Sequence, residues 1–163
     1  MPPKGKIVTK DDPLVIGGKE YYTYFKIDGT EIDIGSTVKT YKGAKLEIRI
    51  WCINKGDQEG YFELRLSDIL NNEVLLEKHM ICSPGGNGFW YFYRENIEKD
   101  RSLKVTLDTY YYTGDFTNPK GKYVCTDEIP TVTIIILKKA TLNISTNPSG
   151  ANVYVDGKYM GKT

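Results

Sequence analysis

The sequence of 163 residues has few of the features that mark nucleic-acid-binding and membrane proteins. Its 22 basic and 21 acidic residues leave a formal net charge of +1, and no block of like charge occurs. This excludes the basic stripe of a duplex-binding protein and the basic helix that lies on a membrane surface. The longest apolar run, TVTIIIL at 131–137, is far shorter than the roughly 20 residues of a membrane helix. We therefore expect no nucleic-acid partner and no membrane insertion.

Groups that form catalytic and cofactor sites are also scarce. The one histidine, His79, lies in a predicted strand, and no G-x-S-x-G motif or glycine-rich phosphate loop is present. Paired acidic residues fall in loop-like segments, where solvated charge is expected, at Asp11-Asp12, Asp57/Glu59 and Asp127-Glu128. Asp127-Glu128 leaves one alternative open, a Ca²⁺ ion held together with loop carbonyls. The sequence predicts no catalytic residue, no metal and no cofactor, and hence a protein that is not an enzyme.

The three cysteines, Cys52, Cys82 and Cys125, cannot all pair within one chain. Three single-bridge pairings are open to them, and their spacing matches no zinc site. We interpret them as small buried apolar residues.

The N-terminal stretch MPPKGKIVTKDD is polar and has no apolar segment of the kind found in signal peptides. Either the protein is not exported by that route, or the signal lies outside this sequence. We expect residues 1–13 to form a polar arm.

Strand patterns fill most of the chain, whereas no sustained helical periodicity occurs. In KLEIRIWC, for example, Leu46, Ile48 and Ile50 share one face and polar residues share the other. Such alternation, with Gly and Asn in the intervening turns, is typical of antiparallel sheets. We predict strands near 21–28, 31–38, 45–54, 60–68, 73–82, 88–95, 102–112 and 131–138, with a short strand near 122–126 and a helical turn at 97–102. Residues 14–138 should form an antiparallel, immunoglobulin-like β-sandwich, with a core of Leu46, Ile48, Ile50, Phe62, Leu64, Leu66, Leu103, Val105, Leu107, Ile134 and Ile136.

The stretch ATLNISTNPSGANVYVDGKYMGKT at 140–163 has the most regular pattern. A strand is followed by a turn at Pro148 and Gly150, and Asp156-Gly157 then predicts a type I′ hairpin turn. The stretch resembles the start of a PEGA repeat, with Ser149 in the place of the family's Glu. The resemblance implies a small β-unit of a cell-surface or envelope protein, without catalysis.

The strands that close a PEGA repeat do not follow, so we expect residues 139–163 to form an incomplete, truncated unit. A lone hairpin is marginally stable in water. Either the natural chain continues, or the unit docks on the main domain or on a neighbour.

The stretch LEIRIWCINKGDQEGYFELRL at 46–66 joins two alternating strands through an Asn-x-Gly turn. It resembles CARDB and related immunoglobulin-like adhesion modules. This resemblance implies an adhesive, extracellular role for the sandwich.

Aromatic tracts supply the candidate binding residues. FWYFY at 89–93 places Phe89, Tyr91 and Tyr93 on one face and Trp90 and Phe92 on the other. Such rings can pack within the sheet, form a protein interface, or stack on sugars. The candidate platform comprises Trp90, Phe92, Tyr91, Trp51, Tyr110 and Tyr112.

Together these patterns favour a non-catalytic structural or adhesive module of a cell surface or extracellular assembly. It would act through protein–protein contacts, including self-association or contacts with adjacent repeats. One alternative is a carbohydrate-binding module that uses the exposed aromatic residues. Another is a virion protein, such as a turret, fibre or decoration, which the lack of a signal peptide favours.

Overall fold

Alternating apolar and polar residues form thirteen strands in the part of the chain that the structure describes. The structure is a computed structural model and describes residues 7–9, 19–54, 56–84, 89–138 and 142–163. These residues contain strands and turns but no helix. The strands are β1 Ile7–Thr9, β2 Lys19–Ile27, β3 Thr30–Ile32, β4 Thr37–Thr40, β5 Lys45–Asn54, β6 Gly60–Asp68, β7 Glu73–Cys82, β8 Phe89–Asn96, β9 Arg101–Tyr112, β10 Lys120–Glu128, β11 Val132–Ile136, β12 Asn152–Val155 and β13 Lys158–Lys162.

Two sheets build the sandwich. The first has the order β1-β2-β5-β8, with β3 also paired to β2. The second has the order β4-β11-β9-β6-β7, with β10 also paired to β9. Their inner faces meet in one apolar core, which includes Phe25 and Ile48 from the first sheet and Phe62 and Leu107 from the second. The predicted all-β sandwich followed by a C-terminal hairpin is thereby confirmed.

The predicted core residues lie in that cluster. All are buried except Ile136, which is half-buried and packs against it. The sequence did not predict Ile97 and Ile129, which are also buried although they lie outside the strands. Each closes one edge of the core through its backbone: Ile97 donates to the Ala44 carbonyl, and Ile129 donates to the Val105 carbonyl.

The single strand predicted at 31–38 is wrong, because a turn divides it into β3 and β4. Gly35 has a φ of +78°, a conformation that glycine adopts without steric cost. The Ser36 backbone N–H and hydroxyl both donate to the Asp33 carbonyl. The break frees β4 from the first sheet, and β4 pairs in parallel with β11 in the second. The sandwich is therefore antiparallel except for this one described pair.

Three further local predictions differ from the structure. Residues 97–100 form no helical turn, since Ile97 pairs with Gly43 and Ala44 and the next strand begins at Arg101. The short strand near 122–126 is the longer β10. Residues 142–146 form no strand. The predicted arm at 1–13, apart from 7–9, and the segment 139–141 lie outside the described residues.

The Asn-x-Gly turn carries the chain from the first sheet to the second. Asn54 ends β5 with its side chain buried, and its Oδ1 accepts a hydrogen bond of 2.9 Å from the Gly56 N–H. Its Nδ2 donates to the carbonyls of Gln58 and Cys82, at 2.9 and 3.1 Å. Asn54 therefore ties this turn to the edge strand β7.

An ion cluster around the buried Arg101 joins strands of both sheets at the opposite end of the sandwich. Arg101 Nη1 lies 2.9 Å from Asp68 Oδ2 and 2.7 Å from Glu73 Oε2. Its Nη2 lies 2.8 Å from Glu95 Oε2, on β8. Asp68 also accepts hydrogen bonds from the backbone N–H groups of Leu70, Asn71 and Ser102. One guanidinium thus connects β6, β7, β8 and β9.

The C-terminal hairpin pairs β12 with β13. Asp156 and Gly157 form its two-residue turn, with φ of +48° and +76°. Two consecutive positive φ values are the conformation of a type I′ turn, which favours Asp-Gly. Thr163 closes the base of the hairpin, since its N–H donates to the Ala151 carbonyl and its hydroxyl oxygen accepts from the Gly150 and Ala151 N–H groups.

Candidate functional site

The outer face of the first sheet carries the largest group of exposed aromatic side chains among the described residues. Strand register sets them side by side: Trp51 on β5 is the partner of Trp90 on β8, and Arg49 is the partner of both Tyr24 and Phe92. Since alternate residues of a strand point to the same side, these five side chains share one surface. We call this surface, formed by Tyr24, Arg49, Trp51, Trp90 and Phe92, the aromatic face.

A shallow groove runs across the aromatic face. Its described lining consists of Tyr24, Arg49, Trp51 and Trp90, and its volume is about 350 Å³. The exposed fraction is 45% for Trp51 and 60% for Trp90. Two large rings that remain this exposed in a folded sheet provide a ready apolar contact surface.

Two arginine side chains lie close to the Phe92 ring of the aromatic face. The Arg49 guanidinium lies 5.4 Å from the centre of the Phe92 ring, and the Arg94 guanidinium lies 4.9 Å from it. Both distances are in the range of cation–π attraction. Arg94 also forms an ion pair of 2.8 Å with Glu47. Arg49 also lines the groove, where its guanidinium can contact an anionic group.

The structure separates the predicted platform residues into three places. Trp51, Trp90 and Phe92 lie together on the aromatic face. Tyr91 lies on the inner side of β8, where it is half-buried and packs against the core. Burial raises the pKa of the Tyr91 phenol. Tyr91 therefore belongs to the core side of β8 and does not form part of the aromatic face.

Tyr110 and Tyr112 belong to the outer face of the other sheet. Tyr110 lies between Tyr61 and Tyr123, with ring centroids 6.3 and 5.6 Å apart. Lys120 Nζ lies 4.3 Å from the centre of the Tyr110 ring and 3.0 Å from Glu63 Oε1. These ring contacts and this ion pair make up a second surface, separate from the aromatic face.

Sequence reasoning missed Phe116, which is 82% exposed in the turn between β9 and β10. The turn is closed at its base, since the Thr113 N–H donates to the Pro119 carbonyl and the Thr113 hydroxyl donates to the Asn118 carbonyl. At the tip, Asp115 Oδ1 accepts from both the N–H and the hydroxyl of Thr117. The Asp-x-Thr pattern that makes these bonds is visible in the sequence and signals a structured turn.

Two of the titratable residues noted in the sequence, His79 and Glu128, contact neighbouring side chains in the structure. His79 stacks on Tyr61 and lies 3.5 Å from Glu63 and 3.6 Å from Glu77. Glu128 pairs with Lys104 at 2.8 Å. Across the described part of the chain, no three His, Cys, Asp or Glu residues are grouped so that they could hold a metal ion.

The three cysteines carry thiols in the structure. Cys52 and Cys82 are buried and Cys125 is half-buried. Burial raises the pKa of the Cys82 thiol, which disfavours the reactive thiolate.

The hairpin unit has an apolar surface of its own. Leu142, Ile144, Val153, Val155 and Met160 line an open groove of about 490 Å³. On the hairpin, Tyr154 and Tyr159 contact each other edge-to-face, with centroids 5.5 Å apart. These side chains are mostly exposed.

Comparison with known proteins gives one family match. Residues 139–163 match the model of the PEGA domain. No curated protein matches the chain. In the described residues there is no helix with the length and apolarity needed to cross a membrane.

Several solved structures are similar to the chain. A structural-genomics target, Northeast Structural Genomics Consortium target SoR45, has 12% identity and a TM-score of 0.35, over 78% of this chain and 94% of that one. A beta-glucosidase from Listeria innocua in complex with glucose has 10% identity and a TM-score of 0.26. That match covers 74% of this chain and 17% of the glucosidase chain.

PEGA domains occur in extracellular or periplasmic proteins. Together with the all-β fold, the family match fits a non-catalytic extracellular module in general terms. The resemblance to a PEGA repeat at the C-terminus is confirmed, whereas the resemblance of the sandwich to CARDB and immunoglobulin-like modules stays a prediction. Residues 139–163 are thus similar to a PEGA domain.

Proposed function

We propose that the protein is a non-catalytic adhesive or structural module that binds another protein through its aromatic face. The observation that carries this proposal is the register pair Trp51–Trp90, whose two exposed indoles adjoin Tyr24 and Arg49. Trp, Tyr and Arg are the residues that most often dominate the binding energy of protein interfaces.

The position of the face within the sheet also supports this role. Among the described strands, β8 lies at the edge of the first sheet, and a sheet edge offers backbone groups that a partner strand can use. Trp90 and Phe92 lie on this strand. A partner can therefore combine contacts to the rings with backbone pairing at the adjacent edge.

Photo-crosslinking tests the proposal. We would replace Phe92 with p-benzoylphenylalanine in cells that produce the protein and irradiate them. A protein adduct of defined mass is expected, because Phe92 is 43% exposed on the aromatic face. The same replacement at Tyr41, which is 69% exposed away from this face, serves as the control. Equal adducts at both positions, or none at position 92, would contradict the proposal.

Carbohydrate binding is the second candidate, and the groove between Trp51 and Trp90 is the observation that favours it. Indole rings stack on the apolar faces of sugars, and a few polar groups beside them give orientation. Arg49 supplies such a group and favours an acidic sugar. A glycan array would show selective binding that is lost in Trp90→Ala and kept in Tyr41→Ala. If neither the native chain nor Tyr41→Ala bound any glycan on the array, this candidate would be wrong.

A further inference from the structure

The Phe116 loop, defined as residues 113–119, carries an exposed aromatic ring. The phenyl ring is 82% exposed, and its nearest described ring is Tyr112, with centroids 6.0 Å apart. The backbone is fixed on both sides of the ring, because the Thr113 hydroxyl donates to the Asn118 carbonyl and accepts from the Asp115 N–H, and the Thr117 N–H donates to Asp115 Oδ1. A loop that is already ordered loses little conformational entropy on binding, so its exposed ring is suited to serve as an anchor.

The groove of the aromatic face has the complementary properties. Its volume of about 350 Å³ exceeds the ~150 Å³ that accommodates a benzene ring in a protein cavity. Its walls are the rings of Tyr24, Trp51 and Trp90. It also holds the cationic Arg49, whereas Asp115, directly before Phe116, carries a carboxylate. Hydrogen bonds from Thr117 lower the pKa of Asp115 and so favour its charged form.

The loop and the groove lie toward the same end of the sandwich. Tyr112, at the base of the loop, donates a hydrogen bond to the Glu59 carbonyl in the turn that joins β5 to β6. Trp51 lies near the end of β5 that leads into this turn. A two-fold axis near this end can therefore place the loop of each copy opposite the groove of the other, as an isologous contact requires.

We propose that the Phe116 loop of one copy inserts its phenyl ring into the groove of a second copy, and that the chain thereby forms a two-fold dimer. This inference rests on the proposed function, since it names the partner of the aromatic face. Stacking of Phe116 between indoles and an ion pair between Asp115 and Arg49 supply the contact.

Intrinsic fluorescence reads this contact directly, because the two tryptophans of the sequence both line the groove. On dilution of the full chain, we expect the tryptophan emission to shift to the red over the same concentration range in which sedimentation equilibrium shows dimers dissociating.

Phe116→Ala should weaken dimerisation at least ~30-fold, the effect of removing an interface anchor. Tyr41→Ala, which removes another exposed ring away from this contact, should dimerise like the native chain. A native chain that is monomeric at millimolar concentration, or a Phe116→Ala chain that dimerises normally, would overturn the inference.

A mixing experiment shows which copy supplies the ring. Phe116→Ala keeps the groove and its tryptophans, while Trp51→Phe/Trp90→Phe has no tryptophan and keeps Phe116. Adding the tryptophan-free variant should shift the emission of the Phe116→Ala chain to the blue. A tryptophan-free variant that also carries Phe116→Ala should cause no such shift. Equal effects of both added chains, or no shift with either, would contradict insertion of Phe116. Insertion of Phe116 could fail this test while crosslinking at position 92 still captures a different protein. The aromatic face would then bind protein as proposed, and only the inference that its partner is a second copy would be wrong.

Discussion

Arg101 on β9 donates a hydrogen bond of 2.9 Å to Asp68 on β6, whose side chain is 0% exposed. Removing one member of a buried ion pair leaves the other charge without compensation, which costs about 3–5 kcal/mol. Arg101→Leu should therefore lower the free energy of unfolding by about that amount, as measured by urea denaturation. Lys99→Ala provides the control, since Lys99 forms an exposed pair with Glu73, and such pairs contribute about 0–1 kcal/mol. Equal losses in the two variants would contradict the buried role of Arg101.

The same pair predicts how stability depends on pH. Burial alone would raise the pKa of Asp68, but hydrogen bonds from Asn71, Arg101 and the Ser102 backbone hold it below its ordinary value. The unfolded carboxyl titrates at about 3.9. The stabilisation is therefore complete above that pH and is lost as pH falls through the lower folded pKa.

We expect urea midpoints of the native chain to fall steeply below about pH 4, the ordinary range of an Asp carboxyl. Asp68→Asn should be less stable at neutral pH and should show a shallower fall in acid, because this residue then no longer titrates. An unchanged acid profile in Asp68→Asn would show that other carboxyls set the pH dependence.

Core packing gives the next prediction. Ile50 on β5 is almost fully buried between the two sheets. Ile50→Ala should cost about 2–5 kcal/mol, the range for truncating a buried aliphatic side chain. Val74→Ala removes part of an exposed side chain on β7 and should change stability by less than about 0.5 kcal/mol. Denaturant unfolding of both variants tests the contrast, and similar effects would mean that Ile50 is not a core residue.

Period-2 alternation predicted most of the strands because it reports which face of a strand is buried. The predictions for 45–54, 60–68 and 73–82 coincide with the bounds of β5, β6 and β7. The pattern failed where a local turn decides the structure, as at Gly35 between β3 and β4. It also contains no information on partner choice, so the parallel pairing of β4 with β11 was not predictable.

The candidate site was predictable in composition but not in assembly. FWYFY identified Trp90 and Phe92 as sharing a face, since this follows from alternation within one strand. Their proximity to Trp51 and Arg49 depends on the register between β5 and β8, which is a long-range property. For the same reason the sequence could not show that Tyr110 and Tyr112 belong to the other sheet.

The exposure of Trp90 can be measured in isolation. In Trp51→Phe, Trp90 is the single remaining tryptophan. Because its side chain is 60% exposed, acrylamide should quench its fluorescence efficiently in dilute, monomeric protein. Strong protection of Trp90 under these conditions would contradict a binding role for the aromatic face. Protection that develops only as concentration rises would instead report dimerisation.

The last prediction concerns the hairpin of β12 and β13. Its turn at Asp156-Gly157 has favourable backbone geometry, and Thr163 closes its base. However, Val155 and Met160 remain exposed, and an isolated two-stranded hairpin is marginally stable in water. We therefore expect amide hydrogens at 150–160 to exchange faster than those of β5 and β9 in dilute protein.

Hydrogen exchange at two protein concentrations identifies what covers this apolar surface. Protection that grows with concentration would indicate packing against a second chain, as exposed strand edges favour. Protection independent of concentration would indicate docking within one chain. Thr163→Ala should accelerate exchange at Ala151, whose N–H donates to the Thr163 hydroxyl oxygen, whereas Lys162→Ala should not. Protection equal to that of β5 in dilute protein, and unchanged in Thr163→Ala, would show that the hairpin unit is stable without these contacts.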